Sequence, residues 1–344
     1  MHQPRRHDAA DFFTKQEEPT LKVKPGIYYG VPFDEYCQWD AVNNSSLDPI
    51  LFQSPAHYQA KLNEPPKKTN ALAFGSLAHT AMLEPDEFKR NYIGVPEGEF
   101  TKGCMLKDGV TPSSSPKSTS QYKQNKINWY LETPRLVLKK KKQEFEKLRE
   151  KMSLPEQIEW LHSSAKKTMI EFEDFEKISK LCDELKTHPL YEKLRNGKKE
   201  VSFAWKDADT GILCTGRVDS LCPYLIADFK TTETTVEWEW SFWKWNYYRQ
   251  GPMYQDGLAT LGHAGGELLP FWLCVAQKTS PFDCVIAPAH ELDLQQGRAE
   301  YKMALERIMR CRRDKEWPGV PDPEYWRIPE KHREYQIAGT TVKG

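Results

Sequence analysis

The sequence predicts an α/β fold, a single mixed sheet flanked by helices. Three observations carry that expectation. From residue 70 onward the periodicities run helix, three antiparallel strands, helix, two strands, helix, which is the order of a sandwich around one mixed sheet. The turn signal "KDADTG" separates two strand patterns, "EVSFAW" and "ILCTGRVDSL", as in a hairpin. There is no internal repeat, and no run approaches the roughly 18 apolar residues of a membrane helix.

Residues 1 to about 20 are polar and aperiodic and read as a mobile tail; a single domain over 21–315 follows. "VKPGIYYGVPFDEY" reads as a strand entering a turn. Two short helices come next, each opened by a serine before a proline-containing first turn, Ser46 in "SSLDPILF" and Ser54 in "SPAHYQAKL". In "NALAFGSLAHTAMLEP", Leu72, Gly75, Leu77, His79, Met82 and Leu83 fall mostly on one helical face, and Pro85 closes the helix. Residues 94–199 read as a largely helical insertion. It begins as loop in "KDGVTPSSSPKSTSQYKQ". A capping box, Ser153 to Glu156, then opens one long amphipathic helix, with apolar residues at 158, 161, 165, 169, 172, 175, 178, 182 and 185.

From Glu200 the pattern turns to strands, and "LIADFKTT" follows the hairpin after "CPY". "VEWEWSFWKWNYYRQGPMYQDGLATLG" reads as helical. Two strands, "FWLCVAQ" and "DCVIAP", flank "KTSPF", and a last amphipathic helix spans about 291 to 314. Residues 316–344 form a C-terminal extension.

Composition narrows the function classes. The chain has 344 residues, a formal charge of zero and a charged fraction of 28%, the profile of an ordinary soluble protein. The start "MHQPRRHDAADFF" lacks the apolar stretch of a signal peptide, so the reading is cytoplasmic. The eight cysteines (37, 104, 182, 214, 222, 274, 284, 311) stand singly, without CxxC pairs or an iron–sulfur spacing, and read as reduced, packed thiols. Any nucleic-acid surface on a neutral chain is local. Residues 101–150 hold 12 Lys and Arg against 5 Asp and Glu, including Lys139, Lys140, Lys141 and Lys142 in a row. Such a run makes a solvated face or a phosphate contact.

The stretch "GRVDSLCPYLIADFKTT" carries the chemistry. Alternation sends Asp228 and Lys230 to one face of their strand while Ala227 and Phe229 point the other way. The preceding strand ends near Asp219, and the short "SLCPYL" connection folds it back beside Asp228. Two carboxylates and an ammonium thus meet at one end of a hairpin, where a hard divalent ion, Mg²⁺ or Mn²⁺, would offset the like charges. The fitting chemistry is phosphodiester hydrolysis, with the lysine positioning a water or stabilising the transition state.

"GRVDSL", "IADFKTT", Gln250-x-x-x-Tyr254 and the upstream "GSLAHTAML", in that order, resemble the PD-(D/E)XK nuclease superfamily and its RecB-like group. "PGIYYGVPFDEYCQWDAVNNSSLDPILFQSPAHYQAKL" and "ALAFGSLAHTAMLEPDEF" are similar to phage and prophage exodeoxyribonuclease VIII (RecE-type) nuclease domains. The likeness covers about 24–93 and 200–310. It implies a restriction-endonuclease-like core, with Asp219 and Asp228 as metal ligands and Lys230 as the catalytic lysine. It also implies His79 as a further ligand, a contribution from the Phe229 main-chain carbonyl, and Gln250 and Tyr254 as DNA contacts. It implies, finally, resection of linear duplex DNA from the 5′ side, a ring-like tetramer enclosing DNA, and a RecT-type annealing partner.

Other residues have two readings. Pro252 between Gln250 and Tyr254 requires a helix that starts near Gln250 or is kinked there. Glu200 reads as a surface or supporting group rather than a metal ligand. Arg217, on the strand face of Asp219, reads as its ion-pair partner or as a phosphate contact. Trp238, Phe242 and Trp245 fall at helical spacing and read as a core-facing stripe, or as a stacking surface for bases. Two rival functions share these residues: an endonuclease on the same core, and a non-catalytic DNA-binding or assembly protein.

Overall fold

The computed structural model describes residues 21–64, 70–106, 109–323, 334–337 and 340–343. The expected tail at 1–20 and part of the C-terminal extension lie outside the described residues. A short strand, β1 (Gly26–Tyr28), opens the fold, followed by helices α1 (Phe33–Tyr36), α2 (Asp48–Phe52) and α3 (Pro55–Lys61). Both α2 and α3 begin with proline, whose fixed φ suits a first helical turn. Ser54 caps α3 by accepting from the His57 amide at 3.3 Å. Ser46 does not cap α2. It lies inside a 3-10 turn that Asn43 caps by accepting from the Ser46 amide at 3.0 Å.

Helix α4 (Asn70–Leu83) buries Ala78, Ala81, Met82 and Leu83. The side chain of Leu72 lies outside the described residues. Pro85 both ends α4 and starts α5 (Pro85–Asn91), which leads into β2 (Tyr92–Val95). The next segment holds α6 (Glu97–Phe100), α7 (Ser120–Glu132), α8 (Lys139–Leu148) and α9 (Leu154–Ser163). Then come β3 (Thr168–Glu171), α10 (Phe172–Leu185) and α11 (Tyr191–Arg195). The single long helix expected after Ser153 is therefore two helices with a strand between them. Thr168 and Ile170, both β-branched, pair β3 in parallel with β2, and that tertiary ladder overrides the helical period. Helices α7 to α9 enclose a core of their own around Ile127, Tyr130, Leu136, Phe145 and Leu161. Helix α10 instead packs Ile178, Leu181 and Leu185 on the main body.

The remaining elements are β4 (Lys198–Lys206), β5 (Leu213–Cys222), β6 (Leu225–Thr232), α12 (Trp238–Lys244) and α13 (Tyr247–Thr260). They continue with β7 (Phe271–Gln277), β8 (Cys284–Pro288), α14 (Glu291–Asp314) and a terminal pair, β9 (Glu334–Ile337) and β10 (Thr340–Lys343). Asp207 closes the β4–β5 turn, its Oδ1 accepting from the Thr210 amide at 2.9 Å and hydroxyl at 2.7 Å. The six-stranded sheet runs β1-β4-β5-β6-β7-β8 and is antiparallel except for β6 beside β7, so it is mixed as expected. Val201, Phe203, Trp205, Phe271 and Leu273 cover one face with residues of α13 and α14. Ala227, Phe229, Cys274 and Ala276 cover the other, against α4 and α10.

Helix α13 starts three residues before Gln250 and runs through Pro252 without a break. The proline removes the amide that would bond the Tyr248 carbonyl. Helix α14 crosses at that carbonyl, and it can do so only because residue 297 is glycine: a Cβ there would stand 2.2 Å from the Tyr248 oxygen. The described cysteines are all free thiols. No helix among the described residues is long and apolar enough to cross a membrane.

Candidate active site

The ladder between β5 and β6 stops early. Ser220 pairs with Ala227, Leu221 with Ile226 and Cys222 with Leu225; the next facing pair in that register is Asp219 and Asp228, and it is not bonded. The Asp219 side chain fills the gap, its Oδ2 accepting from the Phe229 amide at 2.6 Å. On its other side β5 pairs with β4, and that ladder also skips one position, Glu200 opposite Asp219. Glu200 has a φ of 51°, in the left-handed region that costs a non-glycine residue about 1–3 kcal/mol. The pleat breaks here. Val218 packs on the α13 side, yet Ser220, two residues on, donates to the Leu194 carbonyl on the α4 side. In a regular strand those two would share a face.

Into this break α4 presents His79. Its Nε2 lies 2.9 Å from Asp219 Oδ2 and its Nδ1 3.1 Å from Glu200 Oε1. Together His79, Glu200 and Asp219 offer three ligand atoms within 4.8 Å of one another. The Phe229 amide points at Asp219, and an extended residue turns its N–H and C=O to the same edge, so the Phe229 carbonyl faces this gap too. Asp228, 1% exposed, stands beside the cluster with Lys230 Nζ 2.5 Å from its Oδ2. Gln250 of α13 donates from Nε2 to Asp228 Oδ1 at 3.0 Å and to the Tyr254 hydroxyl at 2.8 Å.

Charge is tightly balanced. Burial alone would neutralise His79, but the Asp219 and Glu200 carboxylates outweigh it and lift the imidazole to about 10. Burial likewise works against ionised Asp219, and the charge and hydrogen bond of His79, with Lys230, hold that carboxyl below its usual range. Asp228 is pushed up to about 6, mainly by burial, with repulsion from Asp219 adding to it against the pull of Lys230. Burial disfavours the Lys230 ammonium, yet Asp228 and Asp219 keep it protonated well above the ordinary lysine range.

The donor set fits a divalent cation. Carboxylate oxygens with one imidazole suit a hard to borderline ion. The protonated His79 and Lys230 supply the positive charge that such an ion would bring. Asp228 Oδ2 is buried and, although Lys230 is close, receives no well-directed hydrogen bond. His79 must release its proton before its nitrogen can act as a ligand.

Four residues singled out in the sequence, His79, Asp219, Asp228 and Lys230, therefore meet at one place. Three readings need correction. Glu200 is no peripheral group: its left-handed backbone turns it onto His79 and into the ligand cluster. Arg217 pairs with Glu200 at 2.5 Å instead of Asp219 and spends further donors on the Val31 carbonyl at 2.8 Å and the Ser202 hydroxyl at 2.9 Å. These partners tie its Nε and Nη1 to the body of the fold. Tyr254 is 8% exposed and packs edge-on against Phe203 and Phe271, so it meets no external DNA. Its hydroxyl orients Gln250, which in turn holds Asp228.

Lys139, Lys140, Lys141 and Lys142 begin α8, in the separate helical core. Lys141 pairs with Glu144 at 2.9 Å and lies over the Trp160 ring, and Lys142 donates to the Leu131 carbonyl. The aromatic stripe divides: Trp238 and Phe242 pack on the core, whereas Trp245 is 59% exposed.

A mixed sheet that opens between two strands to bring acidic groups and a lysine beside a helix-borne histidine has the architecture of the PD-(D/E)XK class. Residues 44–325 match the family described as "PDDEXK-like domain of unknown function (DUF3799)". The chain belongs to that family and carries a PDDEXK-like nuclease domain. Its fold is similar to the crystal structure of a "Putative exonuclease" from Eubacterium rectale, with a TM-score of 0.51 and 16% sequence identity over 85% of this chain and 90% of that one. No curated protein matches.

Proposed function

We propose that the protein is a Mg²⁺-dependent exodeoxyribonuclease, with Mn²⁺ as a substitute, that degrades linear double-stranded DNA from the 5′ side and leaves a 3′ single strand. The observation that supports this most is the break at Glu200 and Asp219, which gathers His79, Glu200, Asp219, Asp228 and Lys230 around one gap. The description of the Eubacterium rectale protein agrees with it.

Hydrolysis adds water across a phosphodiester: a P–O bond forms to the water oxygen, the bond to the 3′ oxygen breaks, and a 5′-phosphomonoester and a 3′-hydroxyl result. A divalent ion held by His79, Glu200, Asp219 and Asp228 would supply charge neutralisation for the phosphoryl group under attack. Lys230 keeps an ammonium at the edge of the gap, where it can orient the water and offset charge growing on the phosphoryl oxygens. Gln250 and Tyr254 fix Asp228 in the rotamer that faces Lys230. We further propose that the chain acts as a ring-like tetramer in the cytoplasm and hands its product to a RecT-type annealing protein.

The test digests uniformly labelled linear duplexes blocked at the 5′ or the 3′ terminus, beside a covalently closed circle, with and without Mg²⁺. Degradation blocked only by 5′ protection, with the circle intact, is the expected result. Cleavage of the circle would replace this reading with the endonuclease.

A further inference from the structure

Helix α12 shows an unusual outer surface. Trp240 is 67% exposed and Trp243 62%, and Trp245, the residue that follows the helix, is 59% exposed. Trp240 and Trp243 are in contact and both exposed, and paired exposed rings of this size mark an interaction site. Folding does not require them: the inner residues Trp238 and Phe242 already pack on the core. Trp240 and Trp243 touch edge to face at 6.3 Å and 84°, a contact that leaves other ring faces open.

The helix that bears this pair is joined to the candidate active site through its inner side. Trp238 stacks on Tyr247 at 5.7 Å and 7°, and the Tyr247 ring lies 4.7 Å from Lys230 Nζ. The strand that carries Asp228 and Lys230 runs, within a few residues, into this helix. Cations accompany the rings: Lys244 Nζ lies 5.2 Å from the Trp245 ring, and Lys230 stands at the inner end.

We propose that Trp240 and Trp243 form a stacking platform for the bases of an unpaired DNA strand beside the candidate active site. The proposal rests on the nuclease reading and gives it a substrate class, a single-stranded or frayed end. Every base offers a π face to a tryptophan, but only when unpaired, because a duplex hides those faces in its own stack. The phosphates would lie toward Lys244 and Lys230.

The test compares the full-length protein with the double variants W240A/W243A and W240Y/W243Y in EDTA. Fluorescence anisotropy reads binding of an oligothymidylate of about 20 nucleotides and of a blunt duplex of the same length. The rings at 240 and 243 should be worth about tenfold or more in oligothymidylate affinity. The alanine variant loses it, the tyrosine variant recovers most of it, and duplex binding changes little. Equal oligothymidylate binding by wild type and alanine variant overturns the platform, as does no binding by wild type. So does an oligomer that the alanine variant loses in sedimentation while its oligothymidylate affinity is unchanged. Hydrolysis of linear duplex in Mg²⁺ is scored separately. A wild type that hydrolyses but shows no ring-dependent binding sinks the platform alone; ring-dependent binding without hydrolysis sinks the nuclease reading alone.

Discussion

Replacing Lys230 by methionine tests the balance of charge at the break. The variant keeps most of the side-chain volume and removes the cation that stands 2.5 Å from Asp228 Oδ2. Asp228, 1% exposed, then retains only the Gln250 hydrogen bond and still faces repulsion from Asp219. Breaking a buried ion pair costs about 3–5 kcal/mol. Lys230 is 19% exposed, which favours the lower end, ~3 kcal/mol. At an unfolding entropy of ~2 cal/mol/K per residue, a domain of this length should lose ~5 °C in Tm.

The loss depends on pH in a definite sense. A carboxyl raised in the folded state to about 6, as Asp228 is, destabilises the fold as pH climbs from its unfolded value through the folded one. Without Lys230 the folded value rises further, so the deficit of the variant is full near pH 8 and fades toward pH 5. Calorimetry in EDTA at both pH values reads it. An equal deficit at pH 5 and 8, or none at pH 8, would refute the reasoning. Because Lys230 competes with an ion for Asp228, Mn²⁺ titration calorimetry should find cation binding retained or tightened while hydrolysis disappears.

Gln250→Leu should lower hydrolysis by about 10- to 100-fold with the fold intact, because Asp228 loses its anchor, whereas Tyr254→Phe removes a single hydrogen bond, ~1 kcal/mol, and should cost only a few-fold. Initial rates on linear duplex separate the two. Asp207→Asn removes a pairing partner of Lys302 and should destabilise by ~1–2 kcal/mol near pH 7. Burial would raise the Asp207 carboxyl, but hydrogen bonds from Lys302 and Thr210 hold it below its usual range. The stability it provides is present above the ordinary carboxylate pKa and lost as pH falls through the lowered one, so the gap between variant and wild type should narrow as pH drops below the ordinary carboxylate range in thermal scans. Gly297→Ala should cost ~2–3 kcal/mol, because its Cβ meets backbone atoms of Tyr248 and Arg249 that cannot swing aside. An unchanged Tm would mean that α13 and α14 are not packed this closely.

Much of this fold is legible because its period signals are local. The β4–β5 hairpin carries its own turn residues, and β6 and β7 are short apolar runs bounded by breakers. Asp228 and Lys230 could be placed on one face by counting by two. The stretch 153–185 misled because apolar residues keep a helical spacing across β3, whose side chains feed the separate helical core at Met169 and the main core at Ile170. Nothing local distinguishes a helix from a strand that serves two cores. Pairing with β2, some 75 residues earlier in the chain, decides it.

The site itself was half legible for a related reason. Counting forward from Val218, which packs on the α13 side, puts Asp219 on the α4 side, toward His79. Counting back from Leu221, also on the α13 side, puts it with Asp228. A regular strand cannot satisfy both counts. The left-handed Glu200 opposite Asp219 breaks the pleat, and the carboxylate lies between the two faces, touching His79 of one layer and the Phe229 amide in the gap of the sheet. That position lets acidic groups borne on both sides of a sheet serve a single ion. Backbone strain at residue 200 is therefore part of the site, and a glutamate in a strand sequence gives no sign that it will adopt φ above zero.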